Sequence, residues 1–394
     1  MLLIAPAVQA QDSGGQDGGT EPAGRLDQIQ AERLEKNQHL RSDQPTETPI
    51  DRLNHALSRS PITFDIGGLG PGKSAGAGTV LPWNMYRDQV VGKVFGHVAL
   101  HSFYTAGTSI ELRNFSRHDF TLALEGFHSD SPQLDFYGEG PDSSIHNRTD
   151  YRREDTVLNF RAGFGTHEHL SPACRIGQNW QNVGPGTDES LATTQSKFGP
   201  AQAPGVDIQR NYVIWGCSLA FDITDFPGDP HKGTYALASF DRYNAIGYNR
   251  FSFSRLSLLG EQYVPYFNGK RVIALRAKTD LSFHSDNQVV PFYLQPTLAS
   301  DTELRGFRRY RFYDQNSLAL TAEYRFELNA AVDMAIFGDA GKVFNRPEQI
   351  SLSNLETSVG FGFTVKRRRN VIARSDLGFS REGVQLWLKV ENLF

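Results

Sequence analysis

No run of apolar residues in this sequence approaches the ~20 that a membrane-spanning helix requires. The longest lies within the first eight residues, and mean hydropathy is negative, at −0.43. A helical membrane span is thereby excluded, and any membrane role must fall to strands. The negative hydropathy does not weigh against strands, because a membrane barrel keeps half of each strand polar. Excess charge of one sign is also missing: the net charge is −4, with acidic and basic residues interspersed, so there is no electrostatic footprint for nucleic acid. No Ser, His and acid constellation is fixed by the sequence, so nothing points to an enzyme. Cysteine is limited to Cys174 and Cys217, a usage compatible with an oxidising compartment without demanding one.

What is abundant is turn-forming and strand-forming. Among 394 residues there are 37 Gly, 27 Phe and 14 Tyr, and turn residues interrupt the chain at short intervals. The fold class is all-β. Alternation is clearest in Val213, Trp215, Cys217, Leu219 and Phe221 against Ile214, Gly216, Ser218, Ala220 and Asp222. It recurs from Leu318 to Leu328, where Leu320, Ala322, Tyr324 and Phe326 oppose Thr321, Glu323, Arg325 and Glu327. One such face suits lipid and the other a wet lumen. Further strand-like runs are Val90–Phe103, Thr108–Phe115, Phe120–Phe127, Thr156–Phe164 and Arg250–Tyr266. With outer-membrane strands of ~10 residues, the chain from Pro61 onward makes a transmembrane antiparallel β-barrel of about 16 strands.

Three segments follow. Residues 1–10, MLLIAPAVQA, read as the end of a secretory signal peptide with Val8-Gln9-Ala10 at its cleavage site. Residues 11–60 are a disordered or weakly helical periplasmic N-terminus, since their polar, low-complexity composition cannot bury a core. Residues 61–394 are the barrel. Counting back from a hairpin near Trp180 and Asn211 places Cys174 opposite Cys217 on the apolar face. Two readings stand there: a disulfide, or a pair of thiols acting as small hydrophobes.

The last strand orients the barrel. Gly383–Phe394 alternates Val384, Leu386, Leu388 and Val390 against polar neighbours and ends on Phe394. Its end is expected at the periplasm. The tight connections at Arg367–Asn370, Leu328–Ala331 and Asn268-Gly269 then share that side, and the long ones, Val289–Gln315 and Val343–Asn354, share the other.

Three local motifs have plainer readings. Gly67-Gly68-Leu69-Gly70-Pro71-Gly72-Lys73-Ser74 matches the phosphate-loop pattern, but the Gly- and Pro-containing stretch after it is a poor helix, so a glycine-rich turn is expected and no nucleotide. His167-Glu168-His169 sets two imidazoles on one strand face without an evident third ligand, and a polar strand end is expected in place of a metal site. The basic residues from Lys366 to Arg369 read as an interfacial turn touching phospholipid headgroups.

The organising stretch is Leu304-Arg305-Gly306-Phe307 in a long surface loop, with the inward register of the next-but-one strand set by Asp333, Phe337 and Asp339. Glycine after arginine permits a tight turn that presents the guanidinium. Spacing alone leaves Asp339 with two fates: partnered by a guanidinium, or solvated in a water-filled pore.

With Phe337-Gly338-Asp339-Ala340-Gly341-Lys342-Val343-Phe344 and the terminal phenylalanine, these residues resemble the BamA/TamA outer-membrane assembly factors, the bacterial surface antigen family. Leu134–Pro141 and Pro291-Phe292-Tyr293-Leu294 are weaker landmarks of it. The resemblance implies a bacterial outer-membrane location, a loop folded into the lumen so that Arg305 meets Asp339, and Phe337 and Gly341 lining the same contact. It also implies insertion or translocation of proteins, with no covalent chemistry and no cofactor. The partners would be outer-membrane lipids, client proteins and a separate periplasmic POTRA or chaperone protein, since residues 1–60 offer no room for a POTRA domain. The alternative is a passive pore or structural barrel without assembly activity.

Overall fold

A computed structural model describes residues 63–68, 75–85, 89–113, 120–164, 169–226, 228–267, 269–329, 331–367 and 370–390. The signal-like segment, the N-terminal tail, His167, Glu168 and Phe394 lie outside them, as does the side chain of Val390.

The strands are β1 (Thr63–Gly68), β2 (Ala75–Met85), β3 (Val90–Ala99), β4 (Phe103–Leu112), β5 (Phe120–Phe136), β6 (Thr149–Phe164), β7 (Leu170–Pro185), β8 (Tyr212–Asp222), β9 (Gly233–Ala245), β10 (Phe253–Tyr266), β11 (Arg271–Phe283), β12 (Thr297–Leu298), β13 (Phe312–Tyr313), β14 (Asn316–Asn329), β15 (Val332–Phe344), β16 (Glu356–Arg367), β17 (Asn370–Ser380) and β18 (Gly383–Val390). Sixteen of them form one antiparallel meander in chain order, while β12 and β13 make a small ribbon inside the connection between β11 and β14. Among the described residues no ladder joins β1 to β18, although the two lie side by side.

Register decides which residues meet lipid. On β18, Val384, Leu386 and Leu388 are exposed, Leu388 at 71%, whereas Trp387 turns inward to the loop residue Arg305. On β15 the exposed Ile336 alternates with buried Ala335, Phe337 and Asp339. A soluble protein exposing so many large side chains in one band would aggregate; in a bilayer the band is the core-facing surface. Cys174 and Cys217 are direct register partners with Cα atoms 4.0 Å apart, and a disulfide joins them. They share strand faces with exposed Ile176 and Trp215, so the bridge faces lipid.

Two sequence expectations change. Val90–Phe103 is not one strand: the chain turns at Leu100–Ser102, where His101 and Ser102 take φ of 62° and 63°, and β4 begins at Phe103. The strand expected from Arg250 starts at Phe253, after a helical turn at Asn249–Phe251. The residues after Lys73 and Ser74 form β2, a strand where phosphate binding would need a helix.

The end with the long connections carries an apolar dome. Leu134, Phe136, Tyr151, Phe198, Phe292 and Tyr313 form its cluster, with Phe136 and Phe292 rings 5.1 Å apart, so the two weaker landmarks pack against each other. Arg153 on β6 and Arg255 on β10 donate to the Tyr293 and Leu294 carbonyls and pin the landmark turn over the lumen. Glu139 is caught in this dome against Gln295, and burial, with a smaller push from Asp314, raises its pKa to about 7. An acid whose folded pKa is raised takes up a proton on folding, so dome stability is highest below the ordinary carboxylate pKa and falls as pH rises through roughly 4.5 to 7. The loss should reach about 3 kcal/mol at ~1.36 kcal/mol per unit. Hydrogen exchange of residues 137–143 should therefore quicken between pH 5 and 7 beyond the intrinsic rate, and Glu139→Gln should abolish that excess.

Candidate functional site: the lumenal arginine loop

Each residue of Leu304-Arg305-Gly306-Phe307 has a separate task. Leu304 and Phe307 are fully buried and join Leu298, Phe312, Ala319 and Val343 in an apolar cluster between the loop and the inner faces of β14 and β15. Those anchors aim Arg305 at the wall. Its Nη2 and Nε donate to the two Asp339 carboxylate oxygens at 2.8 and 3.1 Å, and its backbone N–H donates to the same carboxylate at 2.9 Å. Nη1 donates to Glu323 at 3.0 Å and lies 3.6 Å from Asp376. The guanidinium stacks on Phe337, 3.3 Å from the ring centroid.

The site is closed electrostatically. Arg305 is only 2% exposed and Asp339 3%. Glu323 also accepts from Arg325 and Arg374, and Arg374 forks onto Asp376. Three guanidiniums thus interleave with three carboxylates, the arrangement by which buried charges escape the penalty of isolation. Burial alone would lower the Arg305 pKa; hydrogen bonds to Asp339 and the charges of Asp339, Glu323 and Asp376 outweigh it and raise it above its ordinary value.

Gly306 lies where the loop backbone passes over bare sheet: a Cβ there would stand 2.6 Å from the Phe379 carbonyl. Opposite it, a Cβ on Gly378 would stand 2.3 Å from the Arg305 carbonyl oxygen. That carbonyl accepts from Trp387 Nε1 at 2.6 Å, and the Gly306 carbonyl accepts from Ser380. The loop is therefore fixed to β14, β15, β17 and β18 at once. Gly378→Ala should lift it at a cost of about 1–3 kcal/mol, as overpacking does, read as a lower urea midpoint with a red shift of Trp387 emission.

Of the residues picked from sequence, Arg305, Phe337 and Asp339 are brought together, and Gly341 abuts the loop through Leu298 Cδ1, 3.2 Å from where its Cβ would be. Leu388 faces lipid on β18. Glu323, Arg374, Asp376 and Trp387 were not singled out as site residues. Their signal was register: each falls on the inward face of its strand, and Arg374 and Asp376 are charges two apart on one face. Lys366 departs from its expected place at the headgroups. It turns inward, buried, and pairs with Asp229 and Asp333; the side chains of residues 367–369 lie outside the described residues.

A lipid-facing antiparallel meander of sixteen strands, with short turns at one side and a dome at the other, defines a transmembrane β-barrel of the bacterial outer membrane. The Omp85 superfamily domain matches residues 99–367, most of the chain, and the protein belongs to that superfamily. Its members are insertion or translocation factors for outer-membrane proteins. BamA from Haemophilus ducreyi lacking POTRA domains 1-3 is similar in fold, with a TM-score of 0.63 at 14% identity over 84% of this chain and 68% of that one. CdiB from Acinetobacter baumannii (9% identity, 83% of this chain, 57% of that one) and CdiB from Escherichia coli (13%, 85% and 61%) each give a TM-score of 0.49. The chain thus spans less than two thirds of either CdiB structure. No curated protein matches the sequence. In outer-membrane barrels generally the short turns face the periplasm and the long connections face outward.

Proposed function

We propose that this chain takes part in inserting or translocating proteins at the outer membrane, with the Arg305 loop bracing the wall beside the β1–β18 seam. The observation that carries this reading is the attachment of one loop to β14, β15, β17 and β18 through Glu323, Asp339, Gly378 and Trp387, directly next to a seam without a ladder among the described residues. A braced wall keeps β18 in position while its free edge remains available for pairing. Client proteins and a periplasmic POTRA or chaperone protein are the partners this reading requires, and residues 61–394 are the working domain. No side chain has a covalent role.

The competing reading, a passive pore, draws on a polar lumenal cavity of about 840 Å³ lined by Lys93, Glu111, Glu125, Arg161, Arg175 and Asp241. Liposomes carrying the full chain should speed the folding of an urea-unfolded client barrel, scored by heat-modifiable mobility, relative to empty liposomes. Steady ion conductance with no acceleration would establish the pore instead.

A further inference from the structure

The connection between β8 and β9, residues 223–232, is the longest on the periplasmic side among those bounded by described strands, where turns are ordinarily short. It does not hang into solvent. Asp225 accepts the His231 and Lys232 backbone N–H groups, Asp222 accepts from Thr224, and the Asp229 N–H donates to the Phe226 carbonyl, so the turn is stiffened from within. Its tip lies against a distant part of the wall. Asp229 is buried and pairs with Lys366 on β16, which pairs in turn with Asp333 on β15. In the sheet β10, β11 and β14 stand between β9 and β15. To make the contact the turn must reach over the barrel mouth.

Gly228, Asp229 and Pro230 also share a cavity of about 160 Å³ with Arg325, Thr364, Arg374 and Lys389. Arg325 and Arg374 are the guanidiniums that Glu323 holds under the Arg305 loop. The C-terminal wall is thus covered twice, by the arginine loop from the outer side and by this turn from the periplasmic side. Asp229, His231 and Asp333 have the mutual spacing of a metal set, but the Lys366 ammonium already serves as the cation between the two carboxylates.

We propose that residues 223–232 form a strap across the periplasmic mouth, latched by Lys366 between Asp229 and Asp333, and that release of Asp229 opens the lumen to the periplasm. The latch is asymmetric. When the strap leaves, Lys366 keeps Asp333 as its counter-ion and Asp229 moves into water, so opening strands no charge in the lumen. This device is independent of whether the barrel inserts clients or only conducts, because it governs entry to the lumen in either case.

The test uses the refolded full chain in planar phosphatidylcholine bilayers. Asp229→Asn changes only the strap tip and leaves the Lys366–Asp333 pair; it should raise single-channel conductance or open fraction above wild type. A Pro230→Cys/Thr364→Cys pair, in a Cys174→Ser/Cys217→Ser background, should cross-link under oxidation, lower conductance below wild type, and recover on reduction. Wild-type conductance in Asp229→Asn with normal heat-modifiable mobility would overturn the proposal. So would failure of the cysteine pair to cross-link, which would show that the tip does not rest on that wall.

Discussion

Arg305→Ala is expected to destabilise the barrel by about 3–5 kcal/mol, the usual cost of removing one member of a buried ion network. The loss has identifiable parts. Asp339 would keep only Ser358 among its side-chain donors, at 3.2 Å, and the Phe337 face would lose its cation. Leu304 and Phe307 would still favour their apolar cluster, so the loop should loosen at its tip while its flanks stay docked. Trp387, whose indole donates to the Arg305 carbonyl, is the natural reporter, since the other three tryptophans, Trp83, Trp180 and Trp215, lie on β2, β7 and β8, none of them a strand that holds the loop. The variant should show a lower urea midpoint, red-shifted Trp387 emission, and reduced client folding in liposomes. Arg305→Lys should recover little, because an ammonium cannot fork across Asp339 and reach Glu323 together.

Glu323→Ala should do more damage still. That one carboxylate accepts from Arg305, Arg325 and Arg374 at 2.7 to 3.1 Å, so its removal leaves three guanidiniums facing two carboxylates, Asp339 and Asp376. The expected cost is at the upper end of the buried-pair range, about 5 kcal/mol, which for many of the molecules means failure to reach the heat-modifiable folded form. Glu323→Gln keeps an acceptor oxygen without the charge and should fall between wild type and alanine. Fraction folded after refolding into detergent, read on an unheated gel, measures the order.

Much of the fold was legible because a strand's side-chain period is two, which ties register to chemistry. Once Leu318–Leu328 was read as lipid-facing on one side and wet on the other, Glu323 and Arg325 had to point inward, and the same counting set Cys174 opposite Cys217. What escaped was anything dependent on curvature. Glu323, Arg374 and Trp387 meet because β14, β17 and β18 bend around one loop, and no spacing along the chain encodes that. The break at Leu100–Ser102 escaped for a different reason: His101 and Ser102 take positive φ without the Gly or Asn that usually marks such a turn. Lys366 misled because a basic run beside a turn looks interfacial, whereas its partners, Asp229 and Asp333, come from elements remote in sequence.

The central claim is that Arg305 and Asp339 hold the loop to the wall by acting on each other. A double-mutant cycle of Arg305→Ala and Asp339→Ala, read by urea unfolding, tests it most directly. The account predicts a coupling energy of at least ~1 kcal/mol, with the double variant less damaged than the sum of the single ones. Additive losses within about 0.3 kcal/mol would mean the two side chains contribute independently, and the brace would have to be assigned elsewhere.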